Sequence, residues 1–242
     1  MTISMNKTVR EVAVEIPGAT RLFEQLGIDY CCGGAKALDE ACAGAGVEMG
    51  EVLSALEAIE ESQADQSGST NWQAESLSSL ISYILDKHHV FTRNELARID
   101  PLMAKVLKVY GEQRAELSQI RASFEELKQD LLAHMQKEET VLFPYISLME
   151  SARENSRAIP KPPFQTVGNP VRMMMFEHDR AGELLRSIRE LTGNFTAPEG
   201  ACISYQTLYR ALEELEADLH EHIHLENNIL FPRSLKLERA IY

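Results

Sequence analysis

The sequence predicts an all-α protein in which a small helical domain precedes an antiparallel four-helix bundle. The 242 residues include 13 glycines and 9 prolines, so few positions break a helix. Apolar residues after Leu77 recur at steps of three and four, which is the spacing of a buried helix face. Histidines recur at a nearly constant interval, one on each long predicted helix: His89, His134, His178 and His222.

Residues 1–65 are predicted to be the small helical domain. Helix-capping residues and glycine stops separate short apolar stripes there. Four short helices are therefore expected: the capping box formed by Thr8 and Glu11 opens the first, and the others begin at Pro17, Ala35 and Val47. Residues 66–75 are polar and rich in serine and glutamine, which predicts a linker, and Trp72 is expected to fix its end onto the bundle.

A Cys-Cys-Gly-Gly turn at Cys31 and Cys32 precedes the third predicted helix. A helix N-terminus favours thiolate and lowers the pKa of a nearby cysteine. The pair is therefore expected to have a redox, metal or nitrosyl-related role. The alternative is that small side chains here only allow helices to approach closely.

Residues 76–242 are predicted to be the four-helix bundle. Moderate connections between long amphipathic helices favour an antiparallel arrangement. The predicted helices run from Ser76 to Ile99 with a continuation from Pro101 to Tyr110, from Ala115 to Met149, from Pro170 to Thr192, and from Ser204 to Leu237.

One motif occurs twice within the bundle. His134 and Glu138 are followed by Leu-Phe-Pro, and so are His222 and Glu226. In each copy the histidine and the glutamate occupy core positions of the apolar face, four residues apart and on the same side of a helix. A buried charge without its partner costs roughly 3–5 kcal/mol, so a metal cluster is the expected partner.

The number and type of ligands indicate which metal. His178 is a core position of the third helix, whereas His88 and His89 fit the first helix equally well by periodicity. Four imidazoles and two carboxylates are too many for one tetrahedral zinc ion. They suit two iron or manganese ions, with Glu138 and Glu226 placed to bridge them. The His-x-x-x-Glu order differs from the Glu-x-x-His of ferritin-like sites and favours a hemerythrin-like arrangement.

The position of neighbouring polar residues on each helix predicts their roles. Asp130 and Glu177 are candidates to hold metal-binding histidines through the second ring nitrogen. The alternative is that both are solvated charges on the helix surface. Glu139, His220 and His224 are expected to be exposed.

The charge excludes several classes of partner. The formal net charge is −13, which opposes binding to nucleic acid or to an anionic membrane surface. Residues 1–65 carry four basic and twelve acidic side chains, a net charge of −8. No apolar run approaches the ~20 residues of a membrane span. With four cysteines that form no disulfide framework, a soluble cytoplasmic protein is expected.

These residues resemble the iron–sulfur cluster repair di-iron family, over almost the whole chain. The N-terminal part is similar to that family's cysteine-bearing module through residues 28–34 (IDYCCGG). The rest is similar to its hemerythrin-like domain through residues 134–144, 177–185 and 225–233. The resemblance places the metal ligands at His89, His134, Glu138, His178, His222 and Glu226, and it favours His89 over His88.

The resemblance implies a cytoplasmic, non-haem di-iron protein that supports repair of iron–sulfur clusters damaged by oxidative or nitrosative stress. Two iron ions, bridged by oxo and carboxylate groups, would donate labile iron or react with nitric oxide or oxygen. Cys31 and Cys32 would contact the damaged iron–sulfur protein or carry iron or nitrosyl away. An oxygen-binding or oxygen/nitric-oxide-sensing protein, or a nitric oxide reductase, remains the alternative, and the oligomeric state, a homodimer included, stays open.

Overall fold

A computed structural model describes residues 7–16, 18–63, 70–159 and 161–241. The predicted all-α fold class is confirmed: within these residues the one extended pairing is an isolated antiparallel bridge between Thr8 and Ala37. The N-terminal helices are α1 (Val9–Glu15), α2 (Ala19–Leu26), α3 (Leu38–Ala45) and α4 (Met49–Gln63). The bundle helices are α5 (Leu77–Tyr83), α6 (Val90–Tyr110), α7 (Glu116–Lys137), α8 (Phe143–Glu154), α9 (Gly168–Leu191), α10 (Ile203–His224) and α11 (Phe231–Ile241).

The short N-terminal helices begin and end near the positions that the sequence indicates. Thr8 and Glu11 form the predicted capping box at the start of α1. Gly27 ends α2 in the left-handed conformation, at φ 68°, which glycine adopts without a steric penalty. Pro17, the predicted start of the second helix, and residues 64–69, which include part of the predicted linker, lie outside the described residues.

The bundle is assembled from two helix pairs. Helix α7 packs against α9, and α6 packs against α10. Their apolar faces form a core at one end of the bundle that includes Ile99, Phe124, Leu185 and Leu212. A second apolar cluster, with Ile84, Phe143, Ile229 and Phe231, fills the other end.

Three of the bundle helices pass through π-helical turns, within the described residues. These turns are Ile84–His89 between α5 and α6, Glu138–Leu142 between α7 and α8, and Leu225–Leu230 between α10 and α11. In the second and third turns, the N–H groups of Phe143 and Phe231 donate to the carbonyl oxygens of Glu138 and Glu226, five residues earlier. The proline after each phenylalanine has no N–H with which to continue the α-helical pattern. The repeated Leu-Phe-Pro therefore coincides with a local widening of the helix.

The wider turn buries neighbouring residues that an α-helix would separate. His88 and His89 are both buried, and so is every residue of the turn Leu225–Leu230. For this reason the α-helical period does not decide between His88 and His89.

The N-terminal helices pack onto the bundle beside the turn Leu225–Leu230. Ile223 of α10 belongs to the same apolar cluster as Val9, Phe23 and Leu38. Trp72 packs against Tyr83 with ring centroids 4.6 Å apart, and Arg233 donates to its carbonyl oxygen, which confirms the predicted contact between Trp72 and the bundle. None of the helices within the described ranges has the length and apolar character needed to cross a membrane.

Candidate metal centre

Six buried histidine and glutamate side chains meet in the middle of the bundle, between its two apolar clusters. They are the residues that the sequence proposes as ligands: His89, His134, Glu138, His178, His222 and Glu226. Each exposes 3% or less of its surface. The second and third π-helical turns supply the glutamates, and a histidine comes from each of the four long helical stretches.

The histidines direct their Nε2 atoms toward the glutamate oxygens. Nε2 of His89 and of His134 lie 3.4 and 3.2 Å from Glu138 Oε2. Nε2 of His178 and of His222 lie 3.1 Å from Oε2 and Oε1 of Glu226. The Nε2 atoms of His134 and His178 are 3.0 Å apart.

The ligand atoms fall into two groups that share both glutamates. One group consists of His89 and His222 with the two glutamates, and the other of His134 and His178 with the same two. Within each group all the atoms lie within 4.8 Å of one another. Each group therefore has the ligand types and the spacing of a site for one cation.

On three of the histidines, Nδ1 makes a hydrogen bond away from the centre, so that Nε2 points into it. Nδ1 donates from His89 to Glu139 (2.8 Å), from His134 to Glu177 (2.9 Å) and from His178 to the Asn227 amide oxygen (2.9 Å). An imidazole that donates from Nδ1 is a neutral ligand with its lone pair on Nε2, which is how metal-binding histidines are normally held.

Several polar atoms at the centre have no hydrogen-bond partner among the described residues. They include both oxygens of Glu138, Oε2 of Glu226 and Nε2 of His89. Although these carboxylate oxygens lie near imidazole nitrogens, they do not have hydrogen-bonding geometry with them. Buried carboxylate oxygens without partners are unfavourable. A bound cation would satisfy them, so the residues present fit a metal centre.

The protonation states also favour a cation. Burial and the neighbouring charge of Glu226 raise the pKa of Glu138, but His134 and His89 lower it more, so the net shift is downward. Burial lowers the pKa of His134, yet Glu138 and Glu177 raise it to about 10. Without metal, ionised glutamates are thus balanced by protons on histidine. A cation can take the place of those protons.

Comparison with known proteins identifies the family. A family model described as "Hemerythrin HHE cation binding domain" matches residues 80–234, and a second, described as a domain of unknown function (DUF542), matches residues 5–60. An "Iron-sulfur cluster repair protein YtfE" of Yersinia pseudotuberculosis is 35% identical over 96% of this chain and 98% of its own length. A Yersinia pestis protein of the same name has the same identity and coverage. The chain belongs to the iron-sulfur cluster repair protein family.

In this repair-family chain, the structure separates His88 from His89. His89 lies in the first ligand group, whereas Nδ1 of His88 donates to Asp218 at 3.0 Å. His88 stacks on His222 with ring centroids 5.5 Å apart. His88 therefore lies directly behind the centre, and His89 faces it.

Predictions about the neighbouring residues were confirmed only in part. Glu139, expected to be exposed, accepts from both His89 and Arg93 at 2.8 Å. For Asp130 the alternative of a solvated surface charge holds, because it is partly exposed and pairs with Arg180 at 3.0 Å. Glu177 does support a histidine, but it is His134 of the facing helix. These contacts run between helices, which the pattern of a single helix does not specify.

The prediction that His220 and His224 lie at the surface was also wrong. His224 is buried, and its Nδ1 accepts from the Asn228 amide at 2.9 Å. His220 is half-buried, and its Nδ1 lies 2.8 Å from Glu24 of α2. Both side chains are covered by the N-terminal helices, which the periodicity of α10 does not reveal.

Asn227 is the functional candidate that the sequence analysis missed. Its amide oxygen accepts from His178, and its amide nitrogen donates to the carbonyl oxygen of Cys31 at 3.2 Å. One buried side chain therefore joins a candidate ligand to the cysteine turn. The sequence offered one signal for this role, because Asn227 directly follows the proposed ligand Glu226.

The cysteine pair lies against the bundle beside this asparagine. The Sγ atoms of Cys31 and Cys32 are 3.8 Å apart, and Cys32 Sγ is 3.7 Å from the carbonyl oxygen of His178. The prediction that the cysteines lie at a helix N-terminus was wrong, because α3 begins at Leu38 rather than at Ala35. A hydrogen bond with Cys32, together with burial, raises the pKa of Cys31 instead of lowering it.

Proposed function

We propose that this chain is a non-haem di-iron protein that supports repair of iron–sulfur clusters damaged by oxidative or nitrosative stress. The observation that carries the proposal is that two ligand groups share Glu138 and Glu226. Two ions held side by side, with both carboxylates between them, account for all six buried side chains. The names of the Yersinia relatives support the repair role.

The ligand types favour iron over zinc. Each ion would have two imidazoles and a share of two carboxylates, a set that suits iron and leaves room for an oxo bridge.

When bound, iron would supply an open coordination position for a small ligand such as nitric oxide or oxygen. The protein would hold it through two carboxylates, which are hard ligands, so the soft thiolate or sulfide ligands of a damaged client cluster compete for it. The apolar clusters on both sides exclude water from the centre. Glu139, Glu177 and Asn227 keep the imidazoles oriented.

The position of the cysteines favours repair over oxygen carriage or oxygen sensing. Cys31 and Cys32 lie against the backbone of His178, and an oxygen carrier has no evident need of thiols there. We assign to the pair the transfer of iron or nitrosyl between the centre and a damaged iron–sulfur protein. Neither thiol belongs to the histidine–glutamate groups.

The test combines metal analysis with a repair assay. We expect about two iron ions per chain after iron-replete expression, and recovery of activity when a nitric-oxide-damaged iron–sulfur enzyme is incubated with the protein. The double variant Cys31→Ser, Cys32→Ser should keep its iron but restore much less activity, because a hydroxyl cannot replace a thiolate as a soft ligand. Cys202→Ser, which changes an exposed cysteine, is the matched control.

Three outcomes would contradict the proposal. One zinc ion and no iron would refute the di-iron centre. Full repair by the double-serine variant would remove the cysteines from the mechanism. Catalytic consumption of nitric oxide with an external electron donor, without any repair, would favour a nitric oxide reductase.

A further inference from the structure

Potential ligand atoms also come together outside the histidine–glutamate centre, at the cysteine turn. The carboxylate of Asp29 and the thiols of Cys31 and Cys32 offer atoms that all lie within 4.8 Å of one another. In the part of the chain that the structure describes, no further such group lies beyond this one and the two groups of the centre.

The separations fit one tetrahedral cation. The two Sγ atoms are 3.8 Å apart, and Cys31 Sγ is 3.5 Å from Oδ1 of Asp29. With metal–sulfur bonds of about 2.3 Å and metal–oxygen bonds of about 2.1 Å, a tetrahedral ion holds two thiolates about 3.8 Å apart, and a thiolate and an oxygen about 3.6 Å apart. The observed separations agree closely with these values. The carbonyl oxygen of His178 lies beside the group, 3.7 Å from Cys32 Sγ.

The sequence around the pair builds this geometry. Oδ1 of Asp29 accepts from the backbone N–H of Cys32 at 2.9 Å, which fixes the carboxylate over the turn. A Cβ on Gly33 would lie 2.9 Å from the Asp29 carbonyl oxygen, and one on Gly34 would lie 3.0 Å from that of Tyr30. The two glycines therefore allow a turn that is tight enough to bring Asp29 back to the thiols.

Charge and exposure suit the capture of a cation. Asp29 is exposed, Cys32 is half-buried and Cys31 is buried, so the ligands form a path from solvent inward. Residues 1–65, with four basic and twelve acidic side chains, attract cations.

We propose that Asp29, Cys31 and Cys32 form a second cation site, separate from the histidine–glutamate centre, for one thiophilic divalent cation such as Fe²⁺, Co²⁺ or Zn²⁺. Binding forms metal–sulfur and metal–oxygen bonds and releases the two thiol protons to solvent, without electron transfer. The binding itself is independent of the proposed function. The further inference that the cellular cation is iron, moving to or from the histidine–glutamate centre, rests on the proposed function.

The first experiment is a titration with Co²⁺. The full chain is loaded with iron, kept reduced and anaerobic, and then titrated while the iron content is followed. We expect thiolate-to-cobalt charge-transfer absorption that saturates at one equivalent, with the iron retained. Cys31→Ser and Cys32→Ser should each weaken Co²⁺ binding at least about tenfold, because a metal-bound thiolate is lost.

Two further variants identify the remaining ligand and control for adventitious binding. Asp29→Asn keeps an oxygen that can accept from the Cys32 N–H but removes the charge, so Co²⁺ should bind more weakly. Cys202→Ser should bind Co²⁺ as the unchanged protein does. Cys202 is a suitable control because it lies at the other end of α10 from His222. The twenty residues between them place it about 30 Å from that ligand.

A second measurement needs no substitution. The unchanged protein is alkylated with and without Co²⁺, and each cysteine is quantified by mass spectrometry. Protection confined to Cys31 and Cys32 would support the site. The absence of charge-transfer absorption, equal alkylation with and without Co²⁺, or absorption that Cys202→Ser removes would overturn it. Because the iron content is measured separately, none of these outcomes depends on whether the di-iron centre repairs clusters.

Discussion

The two copies of the His-x-x-x-Glu motif contribute the same groups to the centre but face different surroundings. In both copies the glutamate opens or enters a π-helical turn, and the residue after it holds Nδ1 of a histidine on another helix. In the first copy that residue is Glu139, which holds His89 and also pairs with Arg93 near solvent. In the second copy it is Asn227, which holds His178 and the backbone of Cys31.

The two copies therefore have different roles: the first supports the centre only, and the second also connects the centre to the N-terminal helices. A carboxylate accepts hydrogen bonds and cannot donate, so Glu139 serves the histidine and an arginine. An amide both accepts and donates, so Asn227 links the histidine to the cysteine turn. Asn228 adds a donor to the carbonyl of Tyr30 at 2.8 Å and accepts from Arg10 at 2.7 Å. The second copy therefore carries the interface with the N-terminal helices.

The largest loss of iron is expected from substitution of the two glutamates, which have equivalent places in the two copies of the motif. Glu138→Ala and Glu226→Ala should each reduce the iron content from about two ions per chain to fewer than one, because both ligand groups lose a carboxylate. Elemental analysis after desalting measures this. Glu126→Ala on α7 and Glu221→Ala on α10 change half-exposed glutamates and are the matched controls. Full iron retention in either bridging variant would show that the carboxylates are not shared.

A smaller effect should distinguish the copies. Glu139→Ala and Asn227→Ala should each weaken iron binding about 10–100-fold, because each leaves Nδ1 of a ligand without its acceptor. Asn227→Ala should in addition speed hydrogen exchange in residues 28–34, whereas Glu139→Ala should not. Equal exchange in the two variants would contradict the division between support and connection.

Removal of the N-terminal domain tests the connection itself. Residues 72–242 are expected to fold and to bind iron, because the four long helical stretches contain all six proposed ligands of the histidine–glutamate centre and their own apolar clusters. The truncated protein should have a lower Tm than the full chain, because Ile223 and the amides of Asn227 and Asn228 become exposed. An insoluble or iron-free product would show that the N-terminal helices are part of the bundle's core.

The smallest effect is expected on α7, one turn before His134. Asp130→Asn should leave iron affinity unchanged and lower the free energy of unfolding by at most about 1 kcal/mol, because Asp130 forms a partly exposed pair with Arg180. Glu177→Gln should instead weaken iron binding about tenfold, since Glu177 holds His134. Parallel iron titrations of the two variants make the comparison, and a loss with Asp130→Asn would place that side chain at the centre.

The sequence by itself determined the fold class, the approximate helix bounds and five of the six residues that meet at the centre, while periodicity left His88 and His89 open. Histidines and glutamates in apolar helix faces are informative, because a core excludes polar groups unless they have partners. His134 with Glu138, and His222 with Glu226, occupy such positions, and the interior of one bundle is where four apolar faces meet. No relation between helices was needed to identify them.

Only the tertiary structure decided what surrounds those six side chains. Periodicity left His88 and His89 equivalent, because both lie in a π-helical turn that the α-helical period does not describe, and only the resemblance to the repair family favoured His89. Glu139, Glu177 and Asn227 act on histidines of other helices, and the rotation of one helix against another sets such contacts. The cysteines meet the backbone of His178 because the N-terminal helices pack on the turn Leu225–Leu230, a long-range contact that periodicity along the chain does not contain.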